Sequence, residues 1–439
     1  MKSEPAMQKY RWLGAIALAC APFFPSGLAA LPPEVDAPLT IRTAAREAVA
    51  WHPSVEEAEA DLASRTEEID VAEAGYLPRV EAGVGSGYDN IGQSRWRPRA
   101  NVSVSQMLYD FGKVRSTVAS AEAGTRVGEA RLLIAVDTLI RDTSFAVIEL
   151  QRVRALQQIA NDQLESVSSI ADLVRHRYQR GAATKADLLQ ADARVYSARA
   201  TIEQIEAEHQ RWQASLAHYL GRDRAPPVST DFPEDLLRSC QTQPDWAGVP
   251  AIQEVRARRD LALAEFERSQ AESMPTVSLS VGGATDIHDP FGDREEYNFG
   301  INVSTSLYNG GANRARIRGA SHALGAADAA EARIHNEVSR ILAEAQRQVA
   351  SFDRVIDTLA FREASMRETG KLYRLQYLQM GTKTLVDLLN AEQELHQVRF
   401  DRANTQHDLR RLQIDCLVTS GAARAAFGLA GTVVGGATL

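Results

Sequence analysis

Two stretches of the chain place apolar residues in alternating steps of four and three positions. The first runs through Ala146, Leu150, Val153, Ala160, Leu164, Val167, Ala171, Val174 and Tyr178, with Gln157 as a polar break. The second runs through Ala345, Val349, Phe352, Ile356, Leu359, Met366, Tyr373 and Tyr377, and is interrupted at Glu363 and Gly370. This period is typical of antiparallel coiled coils, and it predicts two very long helices, at residues 112–180 and 311–380. Each would measure roughly 100 Å, which exceeds a globular domain.

Four shorter stretches alternate apolar residues with small or polar ones. They lie at residues 80–88, 101–108, 276–281 and 298–307. An apolar face and a polar face over about ten residues are typical of transmembrane β-barrel strands. Two soluble hairpins packed on helices are the alternative. Four strands cannot close a barrel and lipid tolerates no open strand edge, so membrane strands would require several chains to pool them.

The order helix, strand, loop, strand, long helix, turn, helix occurs twice along the chain. Three motif pairs recur in the same order: Leu77-Pro78 with Met274-Pro275, Tyr109-Asp110-Phe111-Gly112 with Tyr308-Asn309-Gly310-Gly311, and Gly181 with Gly381. Their repetition predicts one duplicated architecture. The shorter helices, at residues 39–75 and 184–220, together match one long helix in length, so they could stack end to end beside it.

The first thirty residues predict a secretory signal peptide. Lys2, Lys9 and Arg11 precede an apolar run at residues 12–24, and small residues follow. We therefore expect residues 1–30 to be removed. Cys20 lies inside this segment, and Ala17 stands where a lipoprotein signal prefers a Leu-like residue, so lipidation is disfavoured.

Composition and motifs exclude several classes of protein. With 24% charged residues and a mean hydropathy of −0.26, the chain cannot supply many apolar spans. A net charge of −8 disfavours a nucleic-acid partner. Cys240 and Cys416 lack metal-ligand spacing and are either isolated thiols or one bridge. The chain has no His-Glu-x-x-His, phosphate-binding loop or Gly-x-Ser-x-Gly motif, so we expect no catalytic site, metal or cofactor.

The chain resembles the TolC family of outer-membrane exit ducts. The resemblance covers residues 39–418 and rests on the duplication, the strand-to-helix motifs at residues 108–112 and 307–311, and the turn motifs at residues 181–191 and 381–391. It implies a mainly α fold with a small β part. Three chains would form an α-helical barrel of long coiled-coil hairpins in the periplasm, continuous with a twelve-stranded transmembrane β-barrel in the outer membrane of a Gram-negative bacterium.

The resemblance also implies a domain organisation. A first repeat would span residues 31–221 and a second residues 249–420. Residues 222–248 would link them as an equatorial segment, and residues 421–439 would form a second equatorial segment or a flexible tail.

The resemblance places the site residues at the periplasmic hairpin tips, marked by Gly181 and Gly381. Asp387 and Asn390 would line the pore constriction, although the best-known members carry a second Asp where this chain has Asn390. Lys383 and Asp187 would restrain the closed gate. A family tyrosine is replaced by Leu378, with Tyr377 one step away. The alternative is that Asp187 and Asp387 only cap helices.

The predicted function is that of a passive duct, opened when a periplasmic adaptor and an inner-membrane ABC or proton-driven transporter dock. The cargo is open between type I protein secretion and small-molecule efflux, and the motif at residues 110–113 favours secretion slightly. A soluble periplasmic coiled-coil scaffold is the alternative function.

Overall fold

The computed structural model describes residues 38–89, 95–241, 244–287 and 296–438. The predicted signal peptide, with Cys20, lies outside these ranges. The helices are α1 Ile41–Trp51, α2 Pro53–Glu73, α3 Lys113–Gln179, α4 Lys185–Leu220, α5 Pro250–Ala271, α6 Ala312–Leu375, α7 Leu385–Thr419 and α8 Ala423–Ala426. The strands are β1 Arg79–Asp89, β2 Arg95–Tyr109, β3 Thr276–Asp286 and β4 Glu296–Ser304, followed by the short pair β5 Val433–Val434 and β6 Ala437–Thr438. No helix within these ranges has both the length and the apolar character to cross a membrane.

The two long helices organise the helical part. Helix α3 has 67 residues and packs against α2, α4, α5 and α7. Helix α6 has 64 residues and packs against α5 and α7. The helices formed by residues 39–75 and 184–220 both contact α3, in agreement with the prediction that they run beside a long helix.

The predicted helix at residues 39–75 is in fact two helices, α1 and α2, separated at His52. Pro53 disfavours helical backbone at the residue before it, and His52 is extended, with φ −72° and ψ 132°. Its Nδ1 atom accepts a hydrogen bond from the Ser54 N–H at 3.2 Å and so caps α2. In the second repeat Pro250 likewise begins α5.

The predicted coiled-coil seam is buried. In α3, every seam residue is buried or half-buried except Tyr178, which is 40% exposed, so its assignment to the seam was wrong. In α6 the polar break Glu363 is buried, and its carboxylate binds Arg367 at 2.6 Å and Arg402 at 2.8 Å. The break is thus an ion-pair position between α6 and α7.

The four predicted strands form one antiparallel sheet in the order β1-β2-β3-β4. Its register aligns Val80, Val104, Val281 and Phe299 on one face, and Glu81, Ser103, Gly282 and Asn298 on the other. Val80 and Phe299 are 66% and 77% exposed, so the described part of the chain leaves the apolar face uncovered at both edge strands. The fourth strand ends at Ser304, three residues before the predicted end.

Each strand-to-helix motif forms a left-handed turn. Phe111 and Gly112 have φ +57° and +94°, and Gly310 and Gly311 have φ +67° and +85°. Asp110 is buried and stabilises its turn, because its carboxylate accepts the Gly112 N–H at 2.9 Å and the Val114 N–H at 2.7 Å. Glycine adopts this backbone without the steric cost that Phe111 incurs, which explains why the other three positions are glycine.

The main hydrophobic core lies where α1, the middle of α3, and the ends of α4 and α7 meet. Residues between α4 and α5 cross this region, and we name residues 222–248 the linking segment. Within it, residues 234–241 form a 3₁₀ helix. Cys240 of this helix is bonded to Cys416 of α7, so of the two alternatives left open by the sequence, the bridge is present.

Candidate functional site: the hairpin tips

The turn between α3 and α4 is built by a glycine and a reciprocal helix cap. Gly181 ends the first helix with φ +74°. The Thr184 hydroxyl accepts the Asp187 N–H at 3.1 Å, and Asp187 Oδ2 accepts the Thr184 N–H at 2.9 Å. This capping box begins α4 at Lys185 and places Asp187 on its first turn.

The turn between α6 and α7 repeats this design with one difference. Gly381 has φ +64°, and Thr384 and Asp387 form the same capping box, with hydrogen bonds of 3.0 and 3.2 Å. Before the glycine, however, residues 376–380 form one turn of π-helix, whereas α3 stays α-helical to Gln179. Such a turn inserts extra backbone and rotates the side chains that follow it.

Asp387 keeps part of its carboxylate free while it caps the helix. Its Oδ2 atom takes the hydrogen bonds from Thr384, and its Oδ1 atom has no hydrogen-bond partner within the described ranges. Hydrogen bonds from the Thr384 backbone and hydroxyl lower the pKa of Asp387, and the charge of Lys383 lowers it further. The side chain is therefore ionised at neutral pH, and capping does not exclude a role in the pore.

The two tips of one chain pack against each other through a small apolar cluster. Its buried members are Ile170, Ala171, Val174, Ala191, Tyr377, Leu385, Leu388 and Leu389. The Arg177 guanidinium lies 4.8 Å from the centroid of the Tyr377 ring, and its Nη1 atom donates to the Tyr377 carbonyl at 3.2 Å. Burial raises the pKa of Tyr377, Arg177 lowers it, and the nearby charge of Asp187 raises it.

Lys383 makes its described contact within its own hairpin. Its Nζ atom lies 4.3 Å from the centroid of the Tyr373 ring. This geometry is that of a cation–π interaction. Within one chain, the described residues include no ion pair between Lys383 and Asp187.

Asn390 contacts the other hairpin. Its Oδ1 atom accepts a hydrogen bond from Arg194 of α4 at 3.3 Å, and Arg194 also binds Gln393. A guanidinium thus lies beside the position predicted for a second polar ring.

Sequence reasoning missed Arg177, Arg194 and the π-turn. Arg177 and Tyr377 are 200 residues apart, so no local pattern signalled their contact. Neither Arg194 nor the π-turn follows from a motif. No group of three or more His, Cys, Asp or Glu in the described ranges is arranged to hold a metal ion.

Comparison with known proteins agrees with this architecture. Residues 44–222 and 247–415 match the model of the family described as outer membrane efflux protein. The chain is 20% identical over 356 residues to the outer membrane efflux protein BepC of Brucella suis biovar 1, across 78% of this chain and 76% of BepC. It is 23% identical over 338 residues to the alkaline protease secretion protein AprF of Pseudomonas aeruginosa, across 70% of this chain and 66% of AprF.

The fold is similar to that of the outer membrane protein VceC from Vibrio cholerae. The TM-score is 0.77 at 19% identity, over 87% of this chain and 96% of VceC. The chain therefore belongs to the outer membrane efflux protein family, to which TolC also belongs. The prediction of an export channel in the Gram-negative outer membrane is confirmed at the level of the family.

Proposed function

We propose that this member of the outer membrane efflux protein family is one of three identical subunits of an exit duct. The duct is a passive conduit without catalytic function. It opens when a periplasmic adaptor and an inner-membrane transporter dock at the hairpin tips.

The unpaired edge strands of the sheet are the observation that supports assembly of three chains. Strands β1 and β4 each have a neighbour on one side only within the described sheet, and one face carries exposed apolar side chains. Pairing β1 of one chain with β4 of the next would satisfy both edges and continue the apolar face toward lipid. Two copies would give eight strands, a barrel that side chains fill, whereas three copies would give twelve and leave room for a passage.

The helical part also has an exposed surface, which lies on α6. Helix α3 packs against α2, α4, α5 and α7 and buries residues along most of its length. Helix α6 buries only six of its 64 residues, and Phe361 and Leu372, three turns apart on one face, are 77% and 50% exposed. A second copy that placed its α2 and α4 against this face would cover it. Because the contact joins two different surfaces, it can close into a ring.

We place the constriction at Asp387 and the gate restraint at Lys383 and Asp187 of neighbouring hairpins. Three ionised carboxylates facing one axis would favour cations. Lys383 would exchange its contact with Tyr373 for Asp187 of the next hairpin. Asn390 would add a polar, uncharged ring held by Arg194.

The relatives are consistent with two classes of cargo for this chain, a secreted protein or small molecules, since AprF is named for protease secretion and BepC for efflux. We favour a secreted protein. Deleting the adjacent transporter genes and measuring secreted protein and drug sensitivity would decide between the two classes.

Assembly is tested by fractionation and crosslinking. We expect crosslinked trimers in the outer-membrane fraction. A monomer recovered from the soluble periplasm would instead support a coiled-coil scaffold.

The constriction is tested by single-channel recording of the purified complex in planar bilayers. Asp387→Asn is expected to weaken block by divalent cations. Asp192→Asn is the matched control, since it removes a carboxylate of α4 that pairs with Arg175 at 3.1 Å and should leave the block unchanged. Equal block in wild type and Asp387→Asn would contradict the assignment.

The restraint is tested by combining Lys383→Ala with Asp187→Asn. The double variant should conduct more than wild type because the tips are released, and it should keep its divalent block. Unchanged conductance would remove Lys383 and Asp187 from the gate.

A further inference from the structure

The linking segment is attached to several helices of both repeats. The Leu39 N–H donates to the Pro227 carbonyl at 2.8 Å, and Gln151 of α3 donates to the Ser229 carbonyl at 2.8 Å. The Arg410 guanidinium of α7 lies 5.3 Å from the centroid of the Phe232 ring. These polar contacts fix the first half of the segment.

The second half is fixed by a covalent bond. Cys240 is bonded to Cys416 with their Cα atoms 5.1 Å apart, and the two residues are 3% and 1% exposed. The Cys240 N–H donates to Gln413 at 3.2 Å, and the bridge packs against Ala345 and Val349 of α6. The bridge therefore lies buried where the linking segment, α6 and α7 meet.

We propose that this disulfide is a structural crosslink, introduced in the periplasm by a dithiol oxidase, that fastens the linking segment to the end of α7. The inference rests on the proposed export of the chain across the inner membrane. The two thiols lose two protons and two electrons as the Sγ–Sγ bond forms, and the disulfide of the oxidase accepts them and becomes a dithiol. An oxidising compartment is required, because cytosolic thiols stay reduced.

The number of cysteines indicates that oxidation of the two thiols is enough to form the bridge, and that no wrongly paired disulfide has to be rearranged. The chain has three cysteines, and one of them, Cys20, lies in the predicted signal peptide. The remaining two allow one intramolecular pairing, so no disulfide isomerase is needed. They lie 176 residues apart, so the bond must wait until the second repeat has been exported.

Burial predicts how the finished bridge behaves. Thiol–disulfide exchange needs a thiolate to reach a sulfur atom, and both cysteines are almost inaccessible. Small thiols should therefore reduce the bridge only when the linking segment opens or the chain unfolds.

The bond is tested on the full chain, expressed with its signal segment. Cells are quenched with acid to stop thiol exchange, and free thiols are then blocked with an alkylating reagent. The protein is denatured and reduced, and the released thiols are labelled with a high-mass maleimide. We expect two labels on wild type from a normal strain and from a strain that lacks the disulfide isomerase, and none from a strain that lacks the dithiol oxidase. No label in the normal strain, or loss of label without the isomerase, would overturn the proposal. Fractionation of the same cells shows whether the chain reached the periplasm, which separates failure of the bond from failure of export.

The fastening role is tested by limited trypsin digestion of the assembled protein. Cleavage after Arg238, in the linking segment, should accelerate about tenfold or more in Cys240→Ala and in Cys416→Ala, because local opening exposes the site. Cleavage after Arg180, at the hairpin tip, is the internal control and should not change.

A second measurement avoids dependence on the variants. Wild-type protein reduced by a phosphine in mild denaturant and returned to buffer should show the same selective cleavage. Equal cleavage after Arg238 in oxidised and reduced protein would refute the fastening role.

Discussion

A buried ion pair at the level of the linking segment supports a quantitative prediction. Arg424 of α8 binds Asp137 of α3 through Nη1 and Oδ2 at 2.6 Å, and the side chains are 9% and 4% exposed. The Nη2 atom of Arg424 also donates to the Gly248 carbonyl at 3.1 Å. Asp137 Oδ1 has no hydrogen-bond partner in the described structure. Arg424 is therefore the group that compensates this buried carboxylate.

Arg424→Ala should lower the free energy of unfolding by about 3–5 kcal/mol near neutral pH, because it leaves a buried charge unpaired. Burial raises the pKa of Asp137 from 3.8 to about 6, although Arg424 acts in the opposite direction. That rise corresponds to about 3 kcal/mol against the ionised carboxylate. The ionised form is thus already costly, and removing its partner makes it more so.

The sign of the pH dependence follows from the raised pKa. Between pH 3.8 and about 6 the folded state binds the Asp137 proton more tightly than the unfolded state does, so this group adds stability as pH falls through that window. In Arg424→Ala the pKa should rise further. The loss of stability should therefore be large at about pH 8 and much smaller at about pH 5, where the carboxyl is neutral.

The measurement is the denaturant midpoint of the purified protein at both pH values. Arg333→Ala is the matched control, since Arg333 pairs with Glu337 at 3.1 Å on the surface and its loss should cost at most about 1 kcal/mol. Replacing Asp137 by Leu and Arg424 by Met together should recover much of the stability. The reasoning is refuted if Arg424→Ala behaves like Arg333→Ala, or if its effect does not depend on pH.

Three further predictions concern backbone, capping and assembly. Gly221 has φ +64°, and an added Cβ would lie 2.3 Å from the Trp51 ring. Gly221→Ala should therefore lower the free energy of unfolding, measured from the denaturant midpoint, by about 2–4 kcal/mol. Gly181 has φ +74° and open space around it, so Gly181→Ala should lower the same free energy by only about 1 kcal/mol. Burial and then the charge of a neighbouring histidine lower the pKa of His52, so its cap is present above pH 6.5 and is lost as pH falls through the lowered pKa. His52→Asn should keep the cap and reduce the loss of stability on acidification, and an unchanged pH profile would contradict this. Phe361→Ser should weaken the trimer in crosslinking because it removes an exposed apolar side chain from the open face of α6, and an unaffected trimer would place Phe361 outside the interface.

The hairpin tips show which features a local sequence pattern can predict and which it cannot. Glycine followed by Thr and, three residues later, Asp predicts a turn and a helix start, and both turns form capping boxes. Capping was the alternative reading of Asp187 and Asp387, and the structure contains it, while the roles of Asp387, Asn390, Lys383 and Asp187 in the pore remain proposals. Their roles depend on neighbouring chains, whose positions no local pattern specifies.

The sequence by itself determined the elements and their repetition. Helix seams, strand alternation and glycine turns depend on residues a few positions apart, and their spacing is visible directly in the chain. The break at His52 was not predicted, because the helical pattern continues through it while Pro53 forces the preceding residue into an extended conformation.

Only the tertiary structure decided which distant groups meet. The Cys240–Cys416 bridge joins residues 176 apart, Arg177 meets Tyr377 across 200, and Arg424 meets Asp137 across 287. Each contact exists because long helices that pack side by side bring remote parts of the chain to the same level along the helix axes. Periodicity indicates which face of a helix is buried, but the partner on that face depends on how all the helices pack together.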